Sequence, residues 1–240
     1  MHFLINHDKK VIFGWSAKCA CSTIKKIFYF LKNNKLDNKI GTIDDWKEQI
    51  PSNIHLYTTI LFTRNPFKRL VSGFLDKYNK NGKDRWRWNR FGKGSLTFSK
   101  YVDILINTDF IKEKNKNNLN GIVPNWHHFT PQTTETYDYD KLIKSKELIV
   151  VNIEGFDYEI IEKIYDKKIP DQLINYRHGH ERKNYDKDIT TCVCELNIDD
   201  IFNYNIDYKL FYNEIIKEKV LNYYKDDFEL CKQFNIIYDI

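Results

Sequence analysis

Long apolar runs are missing from this 240-residue chain. No stretch approaches the roughly 18 residues that a membrane helix needs, so no membrane span is expected. The first ten residues, Met1-His-Phe-Leu-Ile-Asn-His-Asp-Lys-Lys10, interrupt their apolar stretch with polar and charged side chains. The apolar core of a signal peptide, about 7–15 residues, is therefore absent from that stretch. Glycine (9) and proline (5) are scarce, which leaves few linkers, and there is no internal repeat. The five cysteines are an odd number and cannot all pair within one chain. These absences predict a cytoplasmic protein with reduced thiols. Excess charge of one sign is small: 38 Lys+Arg against 33 Asp+Glu gives +5. Such a balance suits an anionic ligand and does not demand nucleic acid.

What is present is a globular composition, 42% apolar and 30% charged, which excludes wholesale disorder and a disulfide mini-scaffold. The length fits one domain or a small two-domain protein, and the reading adopted is a single domain over 1–240. Three short runs rich in β-branched and aromatic residues predict buried strands: Lys10–Trp15, Tyr57–Thr63 and Glu147–Ile153. A helical pattern follows each. Ile24, Ile27, Phe28 and Leu31 mark Thr23–Leu31; Leu70, Val71, Phe74 and Leu75 mark Phe67–Tyr78; Ile160, Ile161 and Ile164 mark Phe156–Tyr165. Strand then helix, three times, predicts an α/β fold with a central parallel sheet flanked by helices. Tyr208–Phe234 reads as one long amphipathic helix or two, with Leu210, Phe211, Ile215, Val220, Leu221, Tyr224 and Phe228 as its apolar stripe.

Two turns carry chemistry. The first strand ends in Ser16-Ala-Lys-Cys-Ala-Cys-Ser-Thr23 and a helix begins at once. Small residues let the backbone curl so that successive N–H groups face one anion. The helix N-terminus adds its positive dipole end, Lys18 a full charge, and Ser22 and Thr23 hydroxyl donors. The pattern is not Gly-x-x-x-x-Gly-Lys-Ser/Thr, and the alternative is an ordinary turn capped by Ser or Thr. The second strand ends in Thr63-Arg-Asn-Pro-Phe-Lys-Arg-Leu-Val-Ser-Gly-Phe74. Arg64 sits where strand meets helix, and Ser72 lies two helical turns on, so a guanidinium and a hydroxyl could hold a second phosphate. The alternative pairs Arg64 with a carboxylate and makes Ser72 a packing residue.

Taken together these turns resemble those of the membrane-type carbohydrate sulfotransferases. Lys18-Cys-Ala-Cys-Ser-Thr-Ile-Lys25 is similar to that family's 5′-phosphosulfate loop, with Ala17 where a proline is common. Arg64-Asn-Pro-Phe-Lys-Arg-Leu-Val-Ser72-Gly-Phe is similar to its 3′-phosphate motif, Arg-x-Pro-x-x-Arg-x-x-Ser-x-Phe. His128-Phe-Thr-Pro-Gln132 resembles its His-aromatic-x-Pro-Gln element, with Asn152-Ile-Glu154 behind it. His180-Glu-Arg-Lys-Asn-Tyr185 and Val220–Leu230 resemble the C-terminal basic loop and closing helix.

The resemblance implies a P-loop nucleotide-kinase-like sulfotransferase fold. It implies transfer of a sulfuryl group from PAPS (3′-phosphoadenosine 5′-phosphosulfate) to a carbohydrate hydroxyl. Carried over, Lys18, Cys19, Ala20, Cys21, Ser22 and Thr23 form the 5′-phosphosulfate loop. Arg64 and Ser72 hold the 3′-phosphate, and Arg182 or Lys183 closes over the nucleotide. No metal is expected, because Lys18 can neutralise the leaving oxygen and no acidic cluster is seen that would hold Mg²⁺. A histidine suits the task of base toward the acceptor. His128 matches the motif histidine, with His127 and His55 as rivals and Glu154 as a supporting carboxylate.

The segment Lys83-Asp-Arg-Trp-Arg-Trp-Asn-Arg-Phe-Gly-Lys93 interleaves cations with aromatics and is expected to face a glycan acceptor. Cys19-x-Cys21 and Cys192-x-Cys194 are spaced more tightly than most zinc ligands. Two rival functions stay open: an ATP-dependent kinase, and a catalytically inactive module that binds anionic glycans.

Overall fold

A computed structural model of the chain describes residues 2–36, 48–79, 81–82, 85, 88, 94–108, 128–134, 138–155, 157–174 and 189–238. Contacts divide the chain into two compact units. The first comprises Met1–Arg64, Gln132–Glu181 and Cys231–Ile236; the second comprises Asn65–Pro131, Arg182–Leu230 and Ile237–Ile240.

The first unit is built on a four-stranded sheet of order β1-β2-β3-β4, with β1 at His2–Asn6, β2 at Val11–Trp15, β3 at Thr58–Thr63 and β4 at Glu147–Asn152. The pairs β2–β3 and β3–β4 are parallel, in registers that set Val11 opposite Thr58 and Thr63 opposite Asn152. The three expected strands are all present, and the α/β class holds. The addition is β1, which pairs antiparallel with β2. The connection from Asn6 to Val11 is too short for a parallel crossover, so a hairpin is the one solution available. Lys10 turns the chain with φ 55°, and the Asn6 side chain accepts from the Lys9 N–H at 3.1 Å.

All five residues of β2 are buried, as are the last five of β3; strands covered on both faces read as continuous apolar runs. Phe13 packs its ring edge-on against Phe28 and Phe62, each 5.3 Å away between centroids. Phe28 belongs to α1, Cys21–Asn33, whose buried Ile24, Ile27, Phe28 and Leu31 are the stripe read from the sequence. A shorter helix than expected follows β4. It spans Glu159–Tyr165 and buries Ile161, while Ile160 is 39% exposed; Phe156 lies outside the described residues. We label it α5, after α2 (Pro66–Tyr78), α3 (Phe98–Ile106) and α4 (Tyr139–Leu142). The one-turn helix α6, Asp171–Ile174, completes the first unit's described helices before the C-terminal region.

The second unit has its own aromatic core. Asn65 opens α2 by accepting from the Phe67 N–H at 2.9 Å, and Pro66 takes the first helical position, where its missing N–H costs nothing. Phe74 and Tyr78 of α2 pack against Tyr101 of α3 at 5.2 and 5.0 Å between centroids. Further along, α7 spans Ile198–Ile201.

The C-terminal stretch divides into a 3-10 turn at Tyr208–Phe211, then α8, Glu214–Tyr223, and α9, Lys225–Gln233. Its apolar stripe differs from expectation. Ile215 and Leu221 are exposed, at 67% and 40%, while Ile216, Val220, Tyr224 and Leu230 are buried. The break at Tyr224 and the irregular start reset the helical phase, so a stripe counted continuously from Leu210 drifts off the buried face. Among the described residues, no helix is long and apolar enough to cross a membrane.

Candidate functional site

The carboxyl ends of β2, β3 and β4 lie side by side, because the registers set Trp15 opposite Phe62 and Thr63 opposite Asn152. Open α/β sheets characteristically bind ligands at such ends. Here the ends carry Ser16–Thr23, Arg64 and Asn152–Gly155.

The first turn is made without glycine. Lys18 (φ 68°) and Ala20 (φ 54°) both take the left-handed conformation, which costs an L-residue roughly 1–2 kcal/mol. The Cys19 N–H donates to the Ser16 carbonyl at 3.3 Å, and the Ser16 hydroxyl meets the buried Cys19 sulfur at 3.3 Å. α1 then starts from Ala20, which offers no side-chain acceptor to the first turn. The expected alternative, a Ser or Thr cap, is therefore not what this helix uses. No acidic residue occupies that first turn either, so its positive end is not offset locally. Lys18 and Cys21 are half-buried, Ala20 is exposed, and Ser22 and Thr23 are buried at 6% and 9% exposure.

Arg64 joins the strand ends. Its Nε–H donates to Glu154 Oε1 at 3.2 Å, and an Nη1–H donates to the Lys18 carbonyl at 3.3 Å. The guanidinium is about three-quarters buried, so it is partly shielded from water and fixed from two directions. Glu154 is itself held: its N–H donates to Asn152 Oδ1, and its carbonyl accepts from Asn152 Nδ2, both at 3.1 Å. Gly155 follows with φ 82°, a torsion that glycine adopts freely. The carboxylate alternative raised for Arg64 is thus realised together with contact to the loop. Glu154 acts here as a supporting carboxylate.

His55 stands elsewhere. It lies exposed in a 3-10 turn at Ile54–Leu56, before the first residue of β3. The strand, roughly 17 Å long at about 3.3 Å per residue, separates it from Arg64. Gln132, buried, donates from Nε2 to the Phe62 carbonyl at 3.2 Å and so satisfies a backbone acceptor near the end of β3.

In the second unit, Ser72 is half-buried on α2. His128 is half-buried in a short turn, with its ring 6.0 Å from that of Phe129. The next two residues are tightly anchored. Arg69 Nη2 donates to the Thr130 carbonyl at 3.0 Å, and the Tyr224 hydroxyl donates to the Phe129 carbonyl. Arg69 is paired with Asp227 at 4.0 Å, and the two side chains are only 1% and 3% exposed. Phe129 fills the space over Gly73, where a Cβ would stand 2.4 Å from its Cε1. Sequence reasoning placed Arg69 and Gly73 in the quoted motif and Tyr224 and Asp227 in the C-terminal helical stretch, but assigned none of them this anchoring of Phe129 and Thr130. The available signal was a second arginine inside an otherwise apolar helix face, three residues after Pro66.

His127, Arg182 and Lys183 lie outside the described residues, as does most of Lys83–Lys93. Of that segment, Trp88 is buried with its Nε1–H on the Gly94 carbonyl, and Arg85 is paired with Asp199. Those two side chains serve the unit's own packing.

A concavity of about 540 Å³ is lined by residues around α5 and α6, among them Asp157, Glu159, Glu162, Asp171 and Lys168. Its four carboxylates against one ammonium make it the wrong sign for an anionic nucleotide, and it holds none of the candidate residues. Among the described residues, no group of three His, Cys, Asp or Glu side chains is placed to hold a metal ion.

The family model described as the sulfotransferase family matches residues 1–232 of the chain. No curated protein and no solved structure matches it.

Proposed function

The chain belongs to the sulfotransferase family, and from that premise we propose that it moves a sulfuryl group from PAPS to a carbohydrate hydroxyl. Family membership supports sulfuryl transfer in general. The donor, the acceptor and the roles of individual residues are our reading. One observation carries it: a helix start with no side-chain cap, reached through left-handed Lys18 and Ala20, lies beside a guanidinium that bonds the Lys18 carbonyl.

In this reading the backbone and side chains of Lys18, Cys19, Ala20, Cys21, Ser22 and Thr23 receive the 5′-phosphosulfate. Arg64 and, two helical turns along the sequence, Ser72 hold the 3′-phosphate. Arg182 or Lys183 closes over the nucleotide. The acceptor oxygen attacks sulfur in line as the bond from sulfur to the bridging oxygen breaks. His128 takes the hydroxyl proton, and the ammonium of Lys18 meets the charge growing on the leaving phosphate oxygen. The products are PAP (3′-phosphoadenosine 5′-phosphate) and a sulfated sugar, and no step needs a metal. We read 1–240 as one catalytic domain, since the family match runs through both compact units.

Calorimetric titration with PAP, alongside 5′-AMP and Mg-ATP, tests this reading. Micromolar binding of PAP with far weaker binding of AMP is the expected result. No preference for PAP removes the 3′-phosphate assignment, and turnover of Mg-ATP would make the protein a kinase.

A further inference from the structure

Cys192 and Cys194 lie in the described part of the second unit. Their sulfurs stand 3.3 Å apart. The two thiols differ in setting: Cys192 is exposed and Cys194 is buried. The residues between and around them are fixed. The Val193 N–H donates to the Leu210 carbonyl at 2.8 Å, and the Cys194 carbonyl accepts from the Ser99 N–H at 3.0 Å. Asn213 Nδ2 reaches the Cys194 sulfur at 3.4 Å, while Oδ1 of the same amide caps α8 through the Ile216 N–H.

We propose that Cys192 and Cys194 form a reversible intrachain dithiol–disulfide couple, oxidised by a hydroperoxide. A disulfide needs a sulfur–sulfur length of about 2.05 Å, so the pair has only about 1.2 Å to close. The exposed Cys192 can make that movement while the anchored Cys194 stays in place. Burial, and then the neighbouring Cys192 sulfur, push the Cys194 thiol up to about 12. The buried partner therefore stays protonated near neutral pH, and the exposed Cys192 is the thiol that meets the oxidant.

The chemistry balances in two steps. The Cys192 sulfur attacks one oxygen of hydrogen peroxide and gives up its proton; a sulfur–oxygen bond forms, the oxygen–oxygen bond breaks, and the released hydroxide takes that proton to become water. The sulfur of Cys194 then attacks the resulting sulfenic sulfur. The sulfur–sulfur bond forms, the sulfur–oxygen bond breaks, and hydroxide leaves with the Cys194 proton as a second water. Two thiols are oxidised and one peroxide is reduced. A low-molecular-weight thiol reverses the bond by exchange.

The test is peptide mass mapping of the intact, folded protein after a small molar excess of hydrogen peroxide, with remaining thiols alkylated. Tryptic cleavage after Lys187 and Lys209 isolates both cysteines on one peptide, apart from Cys19, Cys21 and Cys231. The expected result is loss of two hydrogens from that peptide, no alkylation of either cysteine, and full recovery with dithiothreitol. Cys194→Ser should stop the reaction at a dimedone-trapped sulfenic acid on Cys192. The wild-type mapping stands alone if that variant does not fold. Four results overturn the proposal: both cysteines still alkylated, Cys192 driven to sulfinic or sulfonic acid with Cys194 free, a bond to another cysteine, or a cross-linked dimer.

Discussion

Arg64 and Glu154, 90 residues apart in sequence, share a hydrogen-bonded ion pair of 3.2 Å at the carboxyl ends of adjacent parallel strands. The carboxylate orients the guanidinium through its Nε–H. Arg64→Ala should weaken PAP binding by about 1.5–3 kcal/mol, the scale of a hydrogen bond to a charged group. Glu154→Gln keeps the acceptor oxygen and should cost less. Calorimetry on both variants decides: unchanged PAP affinity in Arg64→Ala sinks the 3′-phosphate role.

Lys18 is expected to act mainly on the departing phosphate. Lys18→Ala should therefore lower kcat by a larger factor than it raises the dissociation constant for PAP. Steady-state kinetics with a sulfated-product assay, set beside the titration, separates the two. Equal losses would assign the lysine to ground-state binding instead.

Gly73 has no room for a methyl group. Gly73→Ala would bring Cβ to 2.4 Å from Phe129 Cε1, forcing the ring aside at a cost of about 1–3 kcal/mol. Urea unfolding should show that loss, and Phe129→Leu in the same chain should recover part of it. Because His128 precedes Phe129, kcat should fall in Gly73→Ala more than in Phe129→Leu combined with Gly73→Ala. A methyl tolerated without loss of stability would contradict the packing described.

Arg69 and Asp227 form a buried pair. Removing one partner strands the other charge, so Arg69→Met should cost about 3–5 kcal/mol. Asp227→Leu added to Arg69→Met should cost much less than the two single changes summed. Strict additivity in a double-mutant cycle would show that the pair is not coupled.

Tyr212 donates its hydroxyl to the Phe67 carbonyl at 2.9 Å. Burial, with smaller contributions from Tyr224 and Tyr208, holds its ionisation well above the ordinary 10.0. A raised folded-state value contributes stability that is complete below 10.0 and is lost as pH rises toward the folded value. Unfolding free energy should fall as pH rises above about 10. Tyr212→Phe should start less stable and show a flatter alkaline limb. An identical slope in both proteins would count against Tyr212 as the group responsible.

Much of the sheet was legible because β2, β3 and β4 are short apolar runs followed by helical spacing. β1 was not, since His2–Asn6 has five residues and earns its place only by pairing with β2. The Lys18 turn and the Arg64 junction could be read from residue type. The Arg64–Glu154 pair could not, because no local pattern links residues that the parallel register brings together. The C-terminal stripe failed for a local reason: a count carried on from Leu210 assumes unbroken helix, but the 3-10 turn at Tyr208–Phe211 and the fresh helix start at Asn213 reset the phase, so Ile216 replaces Ile215 on the buried face.

The turn from Ser16 to Cys21 obtains its left-handed torsions from a lysine and an alanine. What such a loop transmits to descendants is a set of backbone angles, and residue names are only one way of writing them. A search keyed to glycine passes over this chain, while a search keyed to torsion after a parallel strand would stop at Lys18.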